Sequence, residues 1–315
     1  MKAAIVWEAG KTPVYGEIDE PVPTASERLV HVSAAAISHV VKSRASGTHY
    51  SSTGQFPFVV GVDGVGRLED GTRVYFVAPK GSMAERAAVP PALYLPLPDD
   101  LDDVTAAAIA NPGMSSWAAY SARAQLKAGE TVLVNGATGT SGRLAVQIAR
   151  HLGAKKVIAT GRNAKALEEI AGLGADVTIP LVEDEAALEA GFKAEFAQGV
   201  DVVLDYLWGK SAERLLVAAA KVGPEAVPIR FVQIGSISGS DITLPSAVLR
   251  SSAISLMGSG VGSIPMQRLV AYVGELFAAV IPAGLRISAK PVPLADVEQA
   301  WLENDGARRT VLTLD

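Results

Sequence analysis

No cysteine occurs anywhere in the chain. That excludes disulfides, thiolate metal sites and a cysteine nucleophile, and it agrees with a reducing compartment such as the cytoplasm. Charge is also sparse. Asp, Glu, Lys and Arg make up 19% of the residues, and the formal net charge of -5 is scattered along the chain rather than gathered in blocks. Nucleic acid or an anionic membrane would call for a basic patch, so neither is an expected partner, and a small molecule is. Long apolar runs are missing as well. The longest uncharged stretches, 104–122 and 251–267, are broken by Gly, Pro and Ser, whereas a membrane-spanning helix needs about twenty predominantly apolar residues. The opening "MKAAIVWEAG" shows neither the apolar segment nor the small-residue cleavage site of a secretory signal.

What is present is small and apolar. Hydrophobic residues account for 49% of 315 positions and glycine for 30 of them, enough chain for two packed units. The first third holds short strand-like runs punctuated by Pro and Gly: "KAAIVW", "RLVHVSAAAI", "FPFVVGVDGVGRL", "TRVYFVA" and "AERAAVP", the texture of an all-β unit. The pattern changes near Asn111, where "SSWAAYSARAQ" looks helical. Strand patterns ("TVLVNG", "KKVIAT", "ADVTIP", "VDVVLDY", "IRFVQIG", "ISLMG") then alternate with helical ones ("GRLAVQIARHLG", "NAKALEEIAGLG", "KSAERLLVAAAKVG"). Such alternation predicts an α/β fold with a doubly wound parallel sheet. A long amphipathic helix, "IPMQRLVAYVGELFAAVIPAG", a second helical stretch, "LADVEQAWLEN", and a strand, "RRTVLTLD", close the chain. That strand is expected to return to the β-rich part and make it discontinuous. The expected division is 1–117 with 260–315 for the β-rich unit and 118–259 for the parallel-sheet unit.

The most informative stretch is "TVLVNGATGTSGRLAVQIAR", from Thr131 to Arg150. A buried strand runs into a turn of small residues and then into a helix. Ala137, Gly139 and Gly142 fall on the glycine positions of GxGxxG, with Ala for the first. The helix beginning near Thr140 would aim its N–H groups and positive dipole end at a pyrophosphate. The strand, turn, helix and second strand are the context in which this motif means dinucleotide binding. The turn residues Ala137, Thr138, Gly139, Thr140, Ser141 and Gly142 are the expected contacts. About twenty residues on, where an acid would hold the ribose 2′-OH of NAD, stand Gly161, Arg162 and Asn163. Arg162 suits a 2′-phosphate through bidentate charged hydrogen bonds, assisted by Asn163 and Lys165, and points to NADPH.

Taken in order, "GVDGVG" (61–66), "NPGMSSWAAY" (111–120), "NGATGTSGRLAVQIARHLGA" (135–154), "VDVVLDYLWG" (200–209), "VQIGSISG" (232–239) and the closing "LADVEQAW" and "GARRTVLTLD" resemble the medium-chain dehydrogenase/reductase superfamily. The zinc-free quinone oxidoreductase branch is the most similar. The resemblance spans essentially the whole chain. It implies a Rossmann domain, a β-rich GroES-like barrel for the substrate, and commonly a homodimer. It places Ser115 where a Thr hydroxyl approaches the cofactor, and Ile234, Gly235, Ser236, Gly258 and Ser259 at strand ends on the ligand side. Zinc relatives take one ligand from the His of a GHE motif, matched here by Gly61-Val62-Asp63, and another from a Cys matched by Ser38. Valine cannot ligate, and His39, His49 and Asp63 are scattered by chance spacing, so no metal is expected.

Without that Lewis acid the expected acceptor is one that is already electrophilic, such as a quinone or an α,β-unsaturated carbonyl. Ser38 and Tyr50 are the candidate donors to the growing oxyanion, although Ser38, Val41 and Ser43 stand where quinone oxidoreductases typically carry Asn, Asp and Tyr. An enoyl-thioester reductase and a non-catalytic NADPH sensor are the alternatives. Tyr206 and Lys210 match the YxxxK spacing of short-chain dehydrogenases, but Tyr206 is expected at a strand end rather than on a helix, and the match is read as coincidence.

Overall fold

The computed structural model describes residues 1–52, 54–181, 184–303 and 306–314. Two compact units result, one built from residues 1–114 and 265–315 and the other from 115–264.

The first unit contains strands β1 (Lys2–Val6), β2 (Val14–Glu17), β3 (Arg28–Ala36), β4 (Phe58–Val59), β5 (Asp63–Leu68), β6 (Arg73–Val77), β7 (Arg86–Val89) and β8 (Tyr94–Pro96), with helix α1 (His39–Ala45) between β3 and β4. Helix α2 (Asp103–Ala118) carries the chain into the second unit, and a wide π turn follows it at 119–124. The sequence pattern read as helical only from Ser115. The helix starts twelve residues earlier, at Asp103, where the Asp102 carboxylate caps it by accepting from the Thr105 N–H at 2.9 Å. Pro112 is tolerated inside it.

In the second unit β9 (Thr131–Asn135), α3 (Thr140–His151), β10 (Lys156–Gly161), α4 (Ala164–Gly172), β11 (Val177–Pro180), α5 (Glu185–Gln198), β12 (Val202–Asp205), α6 (Gly209–Val222), β13 (Ile229–Gln233), α7 (Ser246–Arg250) and β14 (Ile254–Gly258) follow one another. The six strands lie in the order β11-β10-β9-β12-β13-β14, every neighbouring pair parallel. All five residues of β9 are buried, as a central parallel strand covered on both faces must be. Leu133, Ile158, Val203 and Phe231 pack against Phe192 and Phe196 of α5 and against Leu215 and Leu216 of α6. Helix α5, which the sequence pattern did not single out, starts at an Asp184 cap accepting from Ala186 and Ala187.

The chain then returns to the first unit through α8 (Met266–Val280), β15 (Ala289–Pro293), α9 (Val297–Leu302) and β16 (Arg309–Thr313). β16 lies between β15, parallel to it, and β3, antiparallel. The last strand thus sits inside the sheet begun by the first hundred residues, as the patterning predicted, in the order β15-β16-β3-β5-β6-β8 with β7 also on β3. β2, β1 and β4 form a separate small sheet.

Candidate functional site

In the second unit the carboxyl ends of the strands share one edge, and the switch point of the strand order falls between β9 and β12. From there the sheet runs through β10 and β11 on one side, and through β13 and β14 on the other. Ligands of open α/β sheets bind at such a crevice.

The turn after β9 is shaped by two glycines. Gly136 has φ +88°, and a Cβ there would lie 2.8 Å from the Leu207 side chain. In the first turn of α3, a Cβ on Gly142 would lie 2.4 Å from the Gly136 carbonyl oxygen and 2.6 Å from Ala137 Cα, so the helix packs on the turn with nothing between them. Gly139 differs: it is the N-cap of α3, supplies no side-chain cap, and the space its Cβ would enter is open. Thr138, Thr140 and Ser141 flank it, half-buried, and Ala137 is buried. A helix cannot satisfy the N–H groups of its own first turn, so an uncapped start facing open space fits an anionic group.

Side chains beneath and beside the turn hold its shape. The Thr160 hydroxyl accepts from the Gly136 N–H (3.1 Å) and donates to Asn135 Oδ1 (2.7 Å). Asn135 Nδ2 in turn donates to Asp205 Oδ1 (2.8 Å) and Ser211 Oγ (2.9 Å). Asp205 also receives the N–H groups of Leu207 and Trp208. Burial raises the Asp205 pKa above the usual carboxylate range, and these donors pull it back. Arg143 ties the turn to α4, donating to the Thr138 carbonyl (3.2 Å) and to Glu169 (2.8 Å). None of Asn135, Thr160, Asp205 and Arg143 belongs to a sequence motif for ligand contact. They were missed because their work is to hold other groups in place.

At the end of β10, Gly161 is buried and Arg162 exposed. No hydrogen bond or ion pair engages Arg162 or the exposed Lys165 among the described residues. Asn163 is the N-cap of α4, its Oδ1 accepting from Ala166 at 3.0 Å. Beyond β13, the N–H groups of Ile234 and Gly235 donate to the Asp205 carbonyl (2.8 and 3.2 Å), and Ser236 is exposed. Gly258 ends β14, exposed, and the buried Ser259 donates its N–H to the Gln233 carbonyl at 2.8 Å. Ser115 lies on α2 beside the phenol of Tyr206, as does Ser116. The structure therefore gathers the predicted cofactor residues along one sheet edge. It does not pair Tyr206 with Lys210, whose ammonium binds Glu213 at 2.8 Å.

In the first unit the buried Ser38 caps α1, its Oγ accepting from the Val41 N–H at 3.4 Å. Tyr50 is 72% exposed, its ring 4.2 Å from that of His49. Asp63, at the head of β5, is buried and accepts the Tyr75 hydroxyl at 3.0 Å. Burial pushes its carboxyl up to about 6, against the opposing pull of Tyr75 and the Arg309 charge. Arg309 is itself buried and donates to the Ile37 carbonyl at 3.1 Å. Burial, then the charges of Arg309 and Lys42, lowers the pKa of His39. Among the described residues no three His, Asp or Glu side chains gather as a metal centre requires, and none forms a helix long and apolar enough to cross a membrane.

A family model described as zinc-binding dehydrogenase matches residues 142–277. The chain has no cysteine, and among the described residues no group of His, Asp and Glu could hold the zinc of that description. A probable NADPH-dependent quinone reductase, tdiC, of Emericella nidulans is 30% identical over 97% of both chains. The quinone oxidoreductase of Pongo abelii is 29% identical over 95% of this chain and 92% of its own. Among solved structures, the quinone oxidoreductase of Thermus thermophilus, also described in complex with NADPH, superposes with a TM-score of 0.81 at 28% identity over the whole of both chains.

Proposed function

The chain belongs to the medium-chain dehydrogenase/reductase superfamily, in its quinone oxidoreductase branch, and from this premise we propose that it is an NADPH-dependent reductase whose acceptor is a quinone or, in the second place, an α,β-unsaturated carbonyl. When bound, NADPH supplies the hydride; the protein's part is to bind, orient and stabilise developing charge. The turn from Ala137 to Gly142 and the start of α3 take the pyrophosphate. Arg162, with Lys165, takes the 2′-phosphate in charged hydrogen bonds. Ser115, Ile234–Ser236 and Gly258–Ser259 hold the nicotinamide end. In the first unit, Ser38 accepts from Val41 and keeps its own hydroxyl proton to donate. Tyr50 offers an exposed ring and hydroxyl to a flat acceptor, and both serve the oxyanion that grows as hydride arrives.

The observation that carries this reading is the combination in one unit of a helix start without a side-chain cap, facing open space at Gly139, and the exposed Arg162 one strand later, which pairs with none of the described residues. The reading extends to a homodimer in the cytoplasm. Supporting it are the outer edge of β14, last of the six strands, where Leu256 is 38% exposed, and the lack of cysteine. The test is stopped-flow mixing of the NADPH-loaded protein with panels of quinones, enones and enoyl thioesters. Protein-dependent loss of nicotinamide absorbance with quinones is expected. Tight binding without turnover would make the chain a sensor, and turnover confined to thioesters would move the substrate class.

A further inference from the structure

A buried charge is costly unless something offsets it, so a buried arginine asks what it is kept for. Arg309, the first residue of β16, is 8% exposed. Burial lowers its pKa and the Asp63 charge opposes that shift; a guanidinium inside a protein stays charged all the same. Asp63 offsets the charge from a distance. Among the described residues no direct ion pair joins the two, and the Asp63 carboxylate accepts from the Tyr75 hydroxyl instead. For stability alone, a well-packed apolar side chain does as well or better than a buried charge.

What Arg309 holds is one buried residue, Ile37. Its Nη1 donates to the Ile37 carbonyl at 3.1 Å. The Ile37 N–H donates in turn to the carbonyl of Thr310, the next residue of β16, at 2.9 Å. Ile37 is thus gripped at both ends by two consecutive residues of one strand. It stands where the chain leaves β3, whose last residue, Ala36, pairs with Val311, and enters α1 through Ser38. The guanidinium takes over where the backbone ladder between β3 and β16 ends. The Ser38 hydroxyl is poorly held by its own bond, which reaches the Val41 N–H only at 3.4 Å, beyond the usual range for N–H to oxygen. Its place therefore depends on the peptide that precedes it.

We propose that Arg309 is a positioning residue, its guanidinium fixing the Ile37–Ser38 peptide and through it the Ser38 hydroxyl offered to the growing oxyanion. This rests on the proposed function, and the test separates the two. Arg309→Lys keeps the charge without the rigid fork, and Arg309→Met keeps only an apolar stem. Each is made in wild type and on Ser38→Ala. Three things are measured: kcat with a quinone, NADPH affinity by calorimetry, and amide hydrogen exchange of residues 37–42 without ligand. In wild type, kcat is expected to fall about tenfold with methionine and about threefold with lysine, while NADPH affinity stays within about twofold, because a displaced donor costs rate rather than binding. Exchange of residues 37–42 should quicken in both. On Ser38→Ala neither change should lower kcat further, since residues that act through one another are not additive. Equal falls in both backgrounds, a loss of NADPH affinity in place of kcat, or unaltered exchange would overturn the assignment of Arg309. Should Arg309→Met not fold, the lysine pair decides by the same comparison. Ser38→Ala as active as wild type would overturn the role of Ser38 and this inference with it, whereas a wild type that turns over no acceptor would overturn the proposed function instead.

Discussion

Asp63 and Arg162 are opposite cases of a charged side chain: one buried with its partners around it, the other exposed with no ion pair among the described residues. The Asp63 carboxyl, pushed up to about 6 from 3.8, binds its proton more tightly folded than unfolded. Its contribution to stability is therefore complete below about pH 4 and lost as pH rises through about 6, on the order of 3 kcal/mol in all. Urea unfolding of wild type and Asp63→Asn between pH 4 and 7 should show the wild type losing stability relative to the variant as pH rises. Parallel profiles would mean that Asp63 does not titrate in that window. For Arg162, reversal to Glu should raise the NADPH KM at least tenfold with little change for NADH, since a charged hydrogen bond to phosphate is replaced by repulsion. An unaltered preference between the two nucleotides would remove Arg162 from the site. Both residues were noticed in the sequence because their types are conspicuous where they stand. Thr160 and Asn135 were not, because a hydroxyl and an amide at strand ends become meaningful only when β9, β10 and β12 are side by side.

At the scale of elements, α3 shows a helix end left unfinished. Most helix starts carry a Ser, Thr, Asp or Asn cap, and α4 and α5 do so with Asn163 and Asp184. Gly139 has φ -77°, which any residue adopts, and open space around it. Gly139→Ser should therefore leave the unliganded protein as stable as before or raise it by a few tenths of a kcal/mol. It should also weaken NADPH binding, because the new hydroxyl competes for the N–H groups. A melting curve and a binding isotherm on one preparation decide it; tighter NADPH binding would contradict an anion-binding role for this helix start. Period and turn chemistry made most elements of this unit legible, β9 to β14 among them. They misplaced the start of α2, where Pro112 and Gly113 resemble a breaker, and passed over β15, whose two prolines (Pro291 and Pro293) argue against a strand. β15 is held as an edge by pairing with β16 on one side only.

For the whole molecule, the open side of β14 is an exposed strand edge, which proteins usually cover or charge. If two copies pair there, Leu256→Lys should shift the sedimentation of the protein from dimer toward monomer while leaving the fold, read by circular dichroism, unchanged. A dimer indifferent to this change would place the contact elsewhere.

The sequence alone determined the alternation of strands and helices, the small-residue turn between β9 and α3, and the absence of thiols, since each depends on residues close together in the chain or on composition. Only the tertiary structure decided how β16 enters the first sheet and how Asn135, Thr160 and Asp205 brace the turn. Those arrangements join residues from 25 to more than 250 positions apart, and burial, which gives such polar groups their energetic weight, does not exist until the chain has folded.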